Sequence, residues 1–216
     1  MEDASHEEDQ GLSRRGLLRK GLVVGLGAAG LSVATSALTA GTALADTGTA
    51  THGGTTVTFS LQYGWRCCGL CFNLYFLANG GTCWGIFGPG GTHNAPHEPY
   101  TGDTDYGVPI GVASTTSIQS PWRYCVACAS LYYGPDQSSS FCTTNRGPHS
   151  TGSTIYYLPY ASWSGTGLQS GWRFCAHCKV LFWGGQIANS DCVSTDGPHA
   201  TIGPVASATN YNLFMK

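Results

Sequence analysis

The sequence predicts an all-β protein built from three copies of one short unit. The phrase W-R-x-C-x2-C occurs three times, beginning at Trp65, Trp122 and Trp172, and each copy is followed by a third cysteine and then by a histidine. Short alternating strand patterns lie between the copies, and no segment after residue 45 has a helical period. Because an internal repeat sets the architecture, we expect short β-hairpin units packed as one compact pseudo-threefold body. Separate beads along the chain are the alternative.

Four strands are predicted from aromatic and aliphatic residues two positions apart, which place both side chains on one face. These strands lie at about 57–61, 104–108, 154–158 and 209–213. Each unit should add a strand through W-R-x-C and another after the Cys-x2-Cys turn, the latter at 72–77, 129–133 and 179–183. The repeats are accordingly assigned to about 57–103, 104–153 and 154–216 of an all-β domain at 57–216. The first and last strands would pair to close a ring.

Residues 1–45 have the pattern of a twin-arginine export signal. Arg14 and Arg15 precede an apolar run at 21–38, and Ala43-Leu44-Ala45 provides the small residues of a cleavage site. A single membrane anchor is the alternative, since the run is about long enough to span a bilayer. Residues 46–56 are rich in Thr and Gly and are predicted to be a flexible lead. We therefore expect a secreted, extracellular protein with no membrane association after cleavage.

The charge balance excludes two classes of partner. After residue 45 the chain has seven acidic and six basic side chains. Proteins that bind nucleic acid or anionic lipid carry a basic excess, so neither partner is expected. A surface of Ser, Thr, Gly, Asn and Tyr suits an exported protein that meets another secreted protein or a cell-surface glycan.

The aligned cysteines and histidines have the composition of a metal site. Disulfides, including disulfides between units, are the default alternative in an exported protein. However, three cysteines cannot pair within one unit, and a disulfide scaffold has no use for a repeated histidine. Zinc favours four tetrahedral sulfur and nitrogen ligands, so we predict three structural zinc ions in zinc-ribbon-like units. The predicted ligands are Cys68, Cys71, Cys83 and His93; Cys125, Cys128, Cys142 and His149; and Cys175, Cys178, Cys192 and His199.

Two assignments in the first unit have alternatives. His97 is a second candidate for the fourth ligand, but the Gly-x-His context that recurs in the other units favours His93. Cys67 has no counterpart, because Tyr124 and Phe174 occupy its position in the later units. It is interpreted as a small buried apolar residue, with a redox role as the alternative.

The aromatic residues form two rows. The repeated tryptophans are predicted to be core residues, since each unit has few other large apolar side chains. A second row follows each Cys-x2-Cys turn as pairs of adjacent aromatics: Tyr75 and Phe76, Tyr132 and Tyr133, and Phe182 and Trp183. Neighbouring strand residues point to opposite faces, so one member of each pair should face solvent and offer a binding surface. The seam between units is the alternative location.

Enzymatic motifs are missing from the sequence. It contains no G-x-S-x-G, no H-E-x-x-H and no phosphate-binding glycine loop before a helix. The aligned histidines are assigned to closed metal sites, which stabilise folds and do not activate water. We therefore expect a protein that is not an enzyme, with a hydrolase whose site is hidden as the least favoured hypothesis.

The string W-R-x-C-x2-C-x2-L, followed by a cysteine, Gly-x-His and a Thr-x-Tyr-x-Leu strand, resembles a tandem repeat of secreted actinobacterial and fungal proteins of largely unknown function. The resemblance covers about residues 59–213. Because such repeats accompany lectin-like or hydrolase domains, it implies an accessory binding role. We expect an adaptor that engages another protein, as in a small subunit of a secreted assembly. A lectin-like module that binds carbohydrate on the repeated aromatics is the alternative.

Overall fold

The computed structural model describes residues 46–85, 95–102, 104–112, 115–201 and 210–216. Within these ranges the regular structure is β-strand apart from three short 3-10 helices, which confirms the predicted all-β class. The strands are β1 Asp46–His52, β2 Thr55–Cys67, β3 Leu74–Phe76, β4 Thr82–Cys83, β5 Ala95–Pro96, β6 Tyr106–Ile110, β7 Ile118–Cys125, β8 Leu131–Tyr133, β9 Thr151–Pro159, β10 Leu168–Phe174, β11 Leu181–Trp183 and β12 Asn210–Met215. The 3-10 helices are Leu77–Asn79, Gly134–Ser139 and Gly184–Asn189.

Strand pairing defines three units of the same design. In each, the W-R strand pairs antiparallel with the short strand after the Cys-x2-Cys turn and, on its other edge, with a tyrosine-containing strand. The units are thus β2, β3 and β6; β7, β8 and β9; and β10, β11 and β12. Each tyrosine strand completes the unit that precedes it in the chain, whereas the predicted boundaries assigned β6 and β9 to the following unit. The reason is that the W-R strand needs a partner on both edges.

Backbone hydrogen bonds of one kind join the three units into a closed ring. In each junction, the last residue of the short strand donates to a carbonyl just before the short strand of the next unit. The three bonds, each 2.9 Å, are Phe76 to Ala129, Tyr133 to Lys179, and Trp183 to Phe72. The third returns to the first unit, and β6 also pairs with both β9 and β12. The predicted pairing of the first and last strands is wrong, because β12 pairs with β10 and β6 and not with β2. The three repeats, within the part of the chain that the structure describes, therefore form one pseudo-threefold body and not a string of beads.

Tryptophan side chains form the centre of the core. Trp65, Trp122 and Trp172 are fully buried, as the sequence predicts. Each makes a T-shaped contact with a tyrosine from the following unit, with ring centroids 5.0–5.4 Å apart. These contacts are Trp65 with Tyr156, Trp122 with Tyr211, and Trp172 with Tyr106. Such edge-to-face pairs stabilise a fold beyond the contribution of the area that the aromatic side chains bury. The same contact therefore stabilises all three junctions.

The predicted flexible lead is wrong for most of its length. Asp46–His52 forms β1 and pairs antiparallel with β2 along its whole length, from Asp46 opposite Leu61 to His52 opposite Thr55. Gly53 and Gly54 form the turn, with φ of 56° and 80°. Two left-handed residues are what a type I′ hairpin turn requires, and Gly-Gly is one of its preferred pairs. That pair between two Thr-rich segments was the available signal for a hairpin.

The predicted export signal at 1–45 lies outside the described residues. Among the residues that the structure does describe, no helix has the length and apolar character needed to span a bilayer.

The residue before the tyrosine of each tyrosine strand is polar in two units and apolar in the third, and this difference matches the residue before the tryptophan. Asp105 Oδ1 accepts from the backbone N–H of Gly64, and Asn210 Oδ1 accepts from that of Gly171, both at 2.8 Å. In the second unit the donor position is Pro121, which has no N–H, and the acceptor position is Ile155. The polar side chain is therefore present only where there is a backbone donor to satisfy.

This correlation gives a stability prediction. Asn210→Ala leaves the Gly171 N–H without its acceptor, so it should lower the free energy of unfolding by about 1–3 kcal/mol. Ile155→Ala, at the equivalent exposed position, should change it by only about 0.5 kcal/mol. Urea unfolding of the metal-loaded variants measures both. Equal losses in the two variants would contradict a contribution from the hydrogen bond.

Candidate metal centres

Each unit brings three cysteines and one histidine together, with the four potential ligand atoms within 4.8 Å of one another. In the second unit, Cys125 Sγ lies 3.8 Å from Cys142 Sγ, and Cys128 Sγ lies 3.5 Å from His149 Nδ1. A tetrahedral zinc ion with 2.3 Å bonds to sulfur requires sulfur–sulfur separations of about 3.8 Å. The geometry therefore suits one four-coordinate ion per unit.

The other two clusters have the same form. The corresponding distances are 3.8 and 3.5 Å in the third unit and 3.5 and 3.7 Å in the first. All the cluster side chains are buried. The ten cysteines of the chain all lie in described residues and all are free thiols. The structure thus contains buried Cys3His clusters in place of the disulfides that export would favour.

Two tight turns present the ligands of each centre. In the second unit, the N–H of Ala129 donates to the carbonyl of Cys125 at 2.9 Å, and that of Arg146 donates to the carbonyl of Cys142 at 2.8 Å. Both donors adopt left-handed backbone conformations, with φ of 61° and 56°. Non-glycine residues adopt this region at some energetic cost, and here it curls the chain around the sulfur atoms. Phe72, Lys179 and Asp196 repeat the conformation in the other units.

The fourth ligand of the first cluster differs from the one that the sequence predicts. His97 occupies it, with Nδ1 3.7 Å from Cys71 Sγ, whereas the recurring Gly-x-His context favoured His93. His93 itself lies outside the described residues. The physical reason is the short β4–β5 ladder, which pairs Cys83 with Ala95 and so brings His97 beside the sulfur atoms. A pairing of this kind is not visible in local spacing.

A contact outside the cluster orients every cluster histidine. Its Nε2 donates to the carbonyl of the second cysteine in the next unit, and the three bonds close a cycle. They join His97 to Cys128 at 3.1 Å, His149 to Cys178 at 3.3 Å, and His199 to Cys71 at 3.2 Å. Because a carbonyl can only accept, Nε2 carries the proton and Nδ1 is directed at the metal position. Metal binding and ring closure therefore use the two nitrogens of the same imidazole.

The aromatic row predicted to bind a ligand has a different role. Its first members, Tyr75, Tyr132 and Phe182, are fully buried. Each stacks on the cluster histidine of its own unit with ring centroids 4.5 Å apart. The prediction that these residues contribute to a binding surface is therefore wrong, because the histidine and the next unit cover them.

The second members, Phe76, Tyr133 and Trp183, are half-buried. Each packs against the core tryptophan of its own unit, with centroids 5.3–5.6 Å apart. Their backbone N–H groups make the bonds that join successive units. The row thus forms the seam of the ring, which was the alternative location.

In the second cluster, the pKa values of Cys125, Cys128 and His149 are shifted from their usual ranges. Hydrogen bonds from Cys128 and Cys142 hold the pKa of the Cys125 thiol well below its usual range. Burial instead raises the pKa of the Cys128 thiol. Burial would lower the pKa of His149, but hydrogen bonds with Cys125 and Cys142 outweigh it and raise that pKa to about 9. A thiolate beside an imidazolium is therefore favoured at neutral pH, and a metal ion bound by these atoms would displace protons.

Sequence reasoning missed a glutamine three residues before each tryptophan. Gln119 Oε1 accepts from Trp122 Nε1 at 3.0 Å and from the Tyr211 hydroxyl at 2.7 Å, so it links two units. The equivalents are Gln62, which accepts from Tyr156, and Gln169, which accepts from Trp172. The signal was present, since the repeat can be written Q-x2-W-R. Among described residues, Trp65 Nε1 has no hydrogen-bond partner.

Cys67 lies apart from the clusters, in the main hydrophobic core. Its Sγ is 3.8 Å from the carbonyls of Cys68 and Phe72. Burial, and secondarily the neighbouring Cys68, raises the pKa of the Cys67 thiol. A buried thiol that resists ionisation is a poor nucleophile, which favours the small apolar interpretation over the redox one.

A cavity of about 540 Å³ lies beside the β1–β2 hairpin. Trp163, Val57 and Ile118 provide apolar walls, and His52 stacks on Trp163 with centroids 5.3 Å apart. Among the described lining residues none is an acidic or basic side chain other than His52, and hydroxyl groups come from Thr55, Thr58, Ser60, Thr115 and Ser117. Because β1 precedes the first repeat, the wall that it provides through His52 comes from outside the threefold repeat.

A scan against protein-family models, a search of curated proteins and a search of solved structures each find no match to this chain. The resemblance to tandem repeats of secreted proteins therefore stays a prediction.

Proposed function

We propose that the protein is an exported, non-enzymatic binding protein whose three Cys3His centres hold structural zinc. The supporting observation is the closed ligand set of each centre: four buried protein atoms at tetrahedral distances. Four protein ligands leave no position for water or substrate, as in structural zinc sites. Thiolate and imidazole donors favour zinc over magnesium or calcium, which prefer oxygen.

The histidine contacts argue against acid–base chemistry at these centres. Each cluster histidine directs one nitrogen at the metal position and donates from the other to a carbonyl of the next unit. Neither nitrogen is left to transfer a proton to a substrate. A binding role therefore accounts for these sites better than a hydrolase.

The cavity beside the β1–β2 hairpin is the proposed contact with a partner protein. It is lined in part by the β1–β2 hairpin, whose first strand is added to the repeat, so a function located there does not need to follow the threefold pattern. Its apolar walls, and the absence of Asp, Glu, Lys and Arg among its described lining residues, suit an uncharged, partly apolar segment of another secreted protein, because burying a charge without a partner is costly. The protein would then act as an adaptor within a secreted assembly.

A cell-surface glycan is the second candidate ligand, and one observation favours it. The stacked His52 and Trp163 lie among five hydroxyl-bearing residues, a combination of aromatic and polar groups that can hold an uncharged polyhydroxylated ring. Carbohydrate binding on the repeated aromatics of the three units is not supported, because those aromatics are buried or lie in the seam.

The test places a charge in the cavity at an exposed position. Thr58→Arg should weaken capture of the partner from culture medium by at least about tenfold, since a desolvated charge costs more than 1.4 kcal/mol. Ala188→Arg, on the exposed surface of the third 3-10 helix, is the matched control and should keep the partner.

Equal capture by both variants would contradict the cavity assignment. A glycan array probed with the unmodified protein and Thr58→Arg separates the candidates. Glycan binding that Thr58→Arg abolishes would favour carbohydrate, whereas capture of one defined protein without glycan binding would favour the adaptor.

A further inference from the structure

The second and third units each place an aromatic side chain across a junction between units, and the first unit lacks it. In the second unit Tyr124 reaches across the junction and packs on Trp65 and Phe76, with both centroid distances 6.1 Å. In the third unit Phe174 does the same on Trp122 and Tyr133, at 6.0 and 5.9 Å. The residue at this position in the first unit is Cys67, whose equivalent targets are Trp172 and Trp183.

A cavity of about 220 Å³ lies beside Cys67 and Trp183, the latter one of the two equivalent targets. Aromatic walls come from Tyr100, Tyr106 and Trp183, and Cys67 forms part of its lining. The side chains of Thr104 and Gln169 add polar groups, and none of the described residues that line the cavity is charged. An apolar cavity of about 150 Å³ in another protein accepts benzene, so this one has room for a substituted six-membered ring.

We propose that this cavity is a binding site for one uncharged aromatic ring of the phenol class. The ligand replaces the side chain that Tyr124 supplies at the equivalent position of the second unit. Edge-to-face and offset contacts with the three aromatic walls would hold the ring. The Thr104 hydroxyl and Gln169 amide provide hydrogen-bond partners for the ligand's hydroxyl group. The site is separate from the cavity beside β1 and does not depend on the proposed adaptor function.

The same ring chemistry exists in a free phenol and in a tyrosine side chain of a polypeptide. A tyrosine side chain can enter only if its polypeptide backbone can approach the cavity mouth. A free phenol has no backbone and no such requirement. Tyr100 and Thr101 at the cavity are exposed, so the cavity is open to solvent. p-Cresol and the tripeptide Gly-Tyr-Gly are therefore suitable probes for the two sources.

The test titrates metal-loaded protein with p-cresol and follows the six tryptophan indole resonances by NMR. We expect saturable binding with the Trp183 resonance shifted most. Cys67→Ala should retain binding, because the thiol takes no part, while Cys67→Tyr fills the cavity and should weaken binding at least about tenfold. Saturation by Gly-Tyr-Gly would identify a polypeptide source, and saturation by p-cresol alone a free phenol.

Two results would overturn the proposal. One is the absence of any saturable shift at Trp183 up to about 10 mM p-cresol, an affinity too weak for a formed site. The other is unchanged p-cresol binding by folded Cys67→Tyr. The first uses the unmodified protein alone, so the test stands even if Cys67→Tyr does not fold.

Discussion

Removal of metal from the three Cys3His centres should unfold the entire protein in one transition. Structural zinc contributes about 10–16 kcal/mol per site in small zinc-binding peptides. Native domains retain a net stability of only about 5–15 kcal/mol, so the loss of a single site would exhaust most of it. The histidine of every centre also donates to a carbonyl of the next unit. A unit that loses its metal therefore releases its neighbour as well.

Elemental analysis, chelator titration and circular dichroism check this expectation together. Protein purified under mild conditions should contain about three zinc ions per chain, as the three ligand sets require, and lose near-ultraviolet dichroism cooperatively as a chelator removes them. Cys128→Ala should abolish the folded state. Cys67→Ala is the matched control, since it removes a buried cysteine outside the clusters and should leave the zinc content unchanged.

A chelated, metal-free protein that keeps its tertiary dichroism would contradict the structural role of the metal. Zinc near zero in native protein without free thiols would contradict metal binding altogether and restore the disulfide interpretation.

The cysteine ligands could be predicted because their geometry is local. Cys-x2-Cys closes a single tight turn, so spacing alone places two sulfur atoms together, and the repeat identifies the third cysteine. The histidine of the first unit could not be chosen in this way. His97 reaches the cluster through the β4–β5 ladder, a pairing across a connection whose length differs from that in the other units.

The location of the second aromatic row depended on ring closure. Alternation along a strand correctly separates Tyr132 from Tyr133, but it does not state what covers each face. His149 covers one and the third unit covers the other. The first covering depends on the Cys3His cluster within the second unit, whereas the second exists only once neighbouring units meet. The β1–β2 hairpin, in contrast, has a local signal in its Gly53-Gly54 turn. It was not predicted because the surrounding Thr-rich segment resembles a linker in composition.

Trp122→Ala should cause the largest loss of stability among substitutions that leave the metal ligands intact. Trp122 is fully buried and contacts its own Tyr133 as well as Phe174 and Tyr211 of the third unit. Truncation of a buried tryptophan to alanine costs about 3–5 kcal/mol through lost transfer energy and the cavity that remains. Because the cavity would open at a junction, the loss should lower the stability of the whole ring.

Phenylalanine variants separate this packing loss from the hydrogen bond. Trp122 Nε1 donates to Gln119, whereas Trp65 Nε1 has no partner among the described residues. Trp122→Phe should therefore be less stable than Trp65→Phe by about 1 kcal/mol, the net value of one such bond. Guanidinium unfolding at constant free zinc would measure all three variants.

A Trp122→Ala loss below about 1 kcal/mol, typical of a surface substitution, would show that the ring does not depend on its tryptophan junctions. Separate transitions for the three units in that variant would show instead that they fold independently.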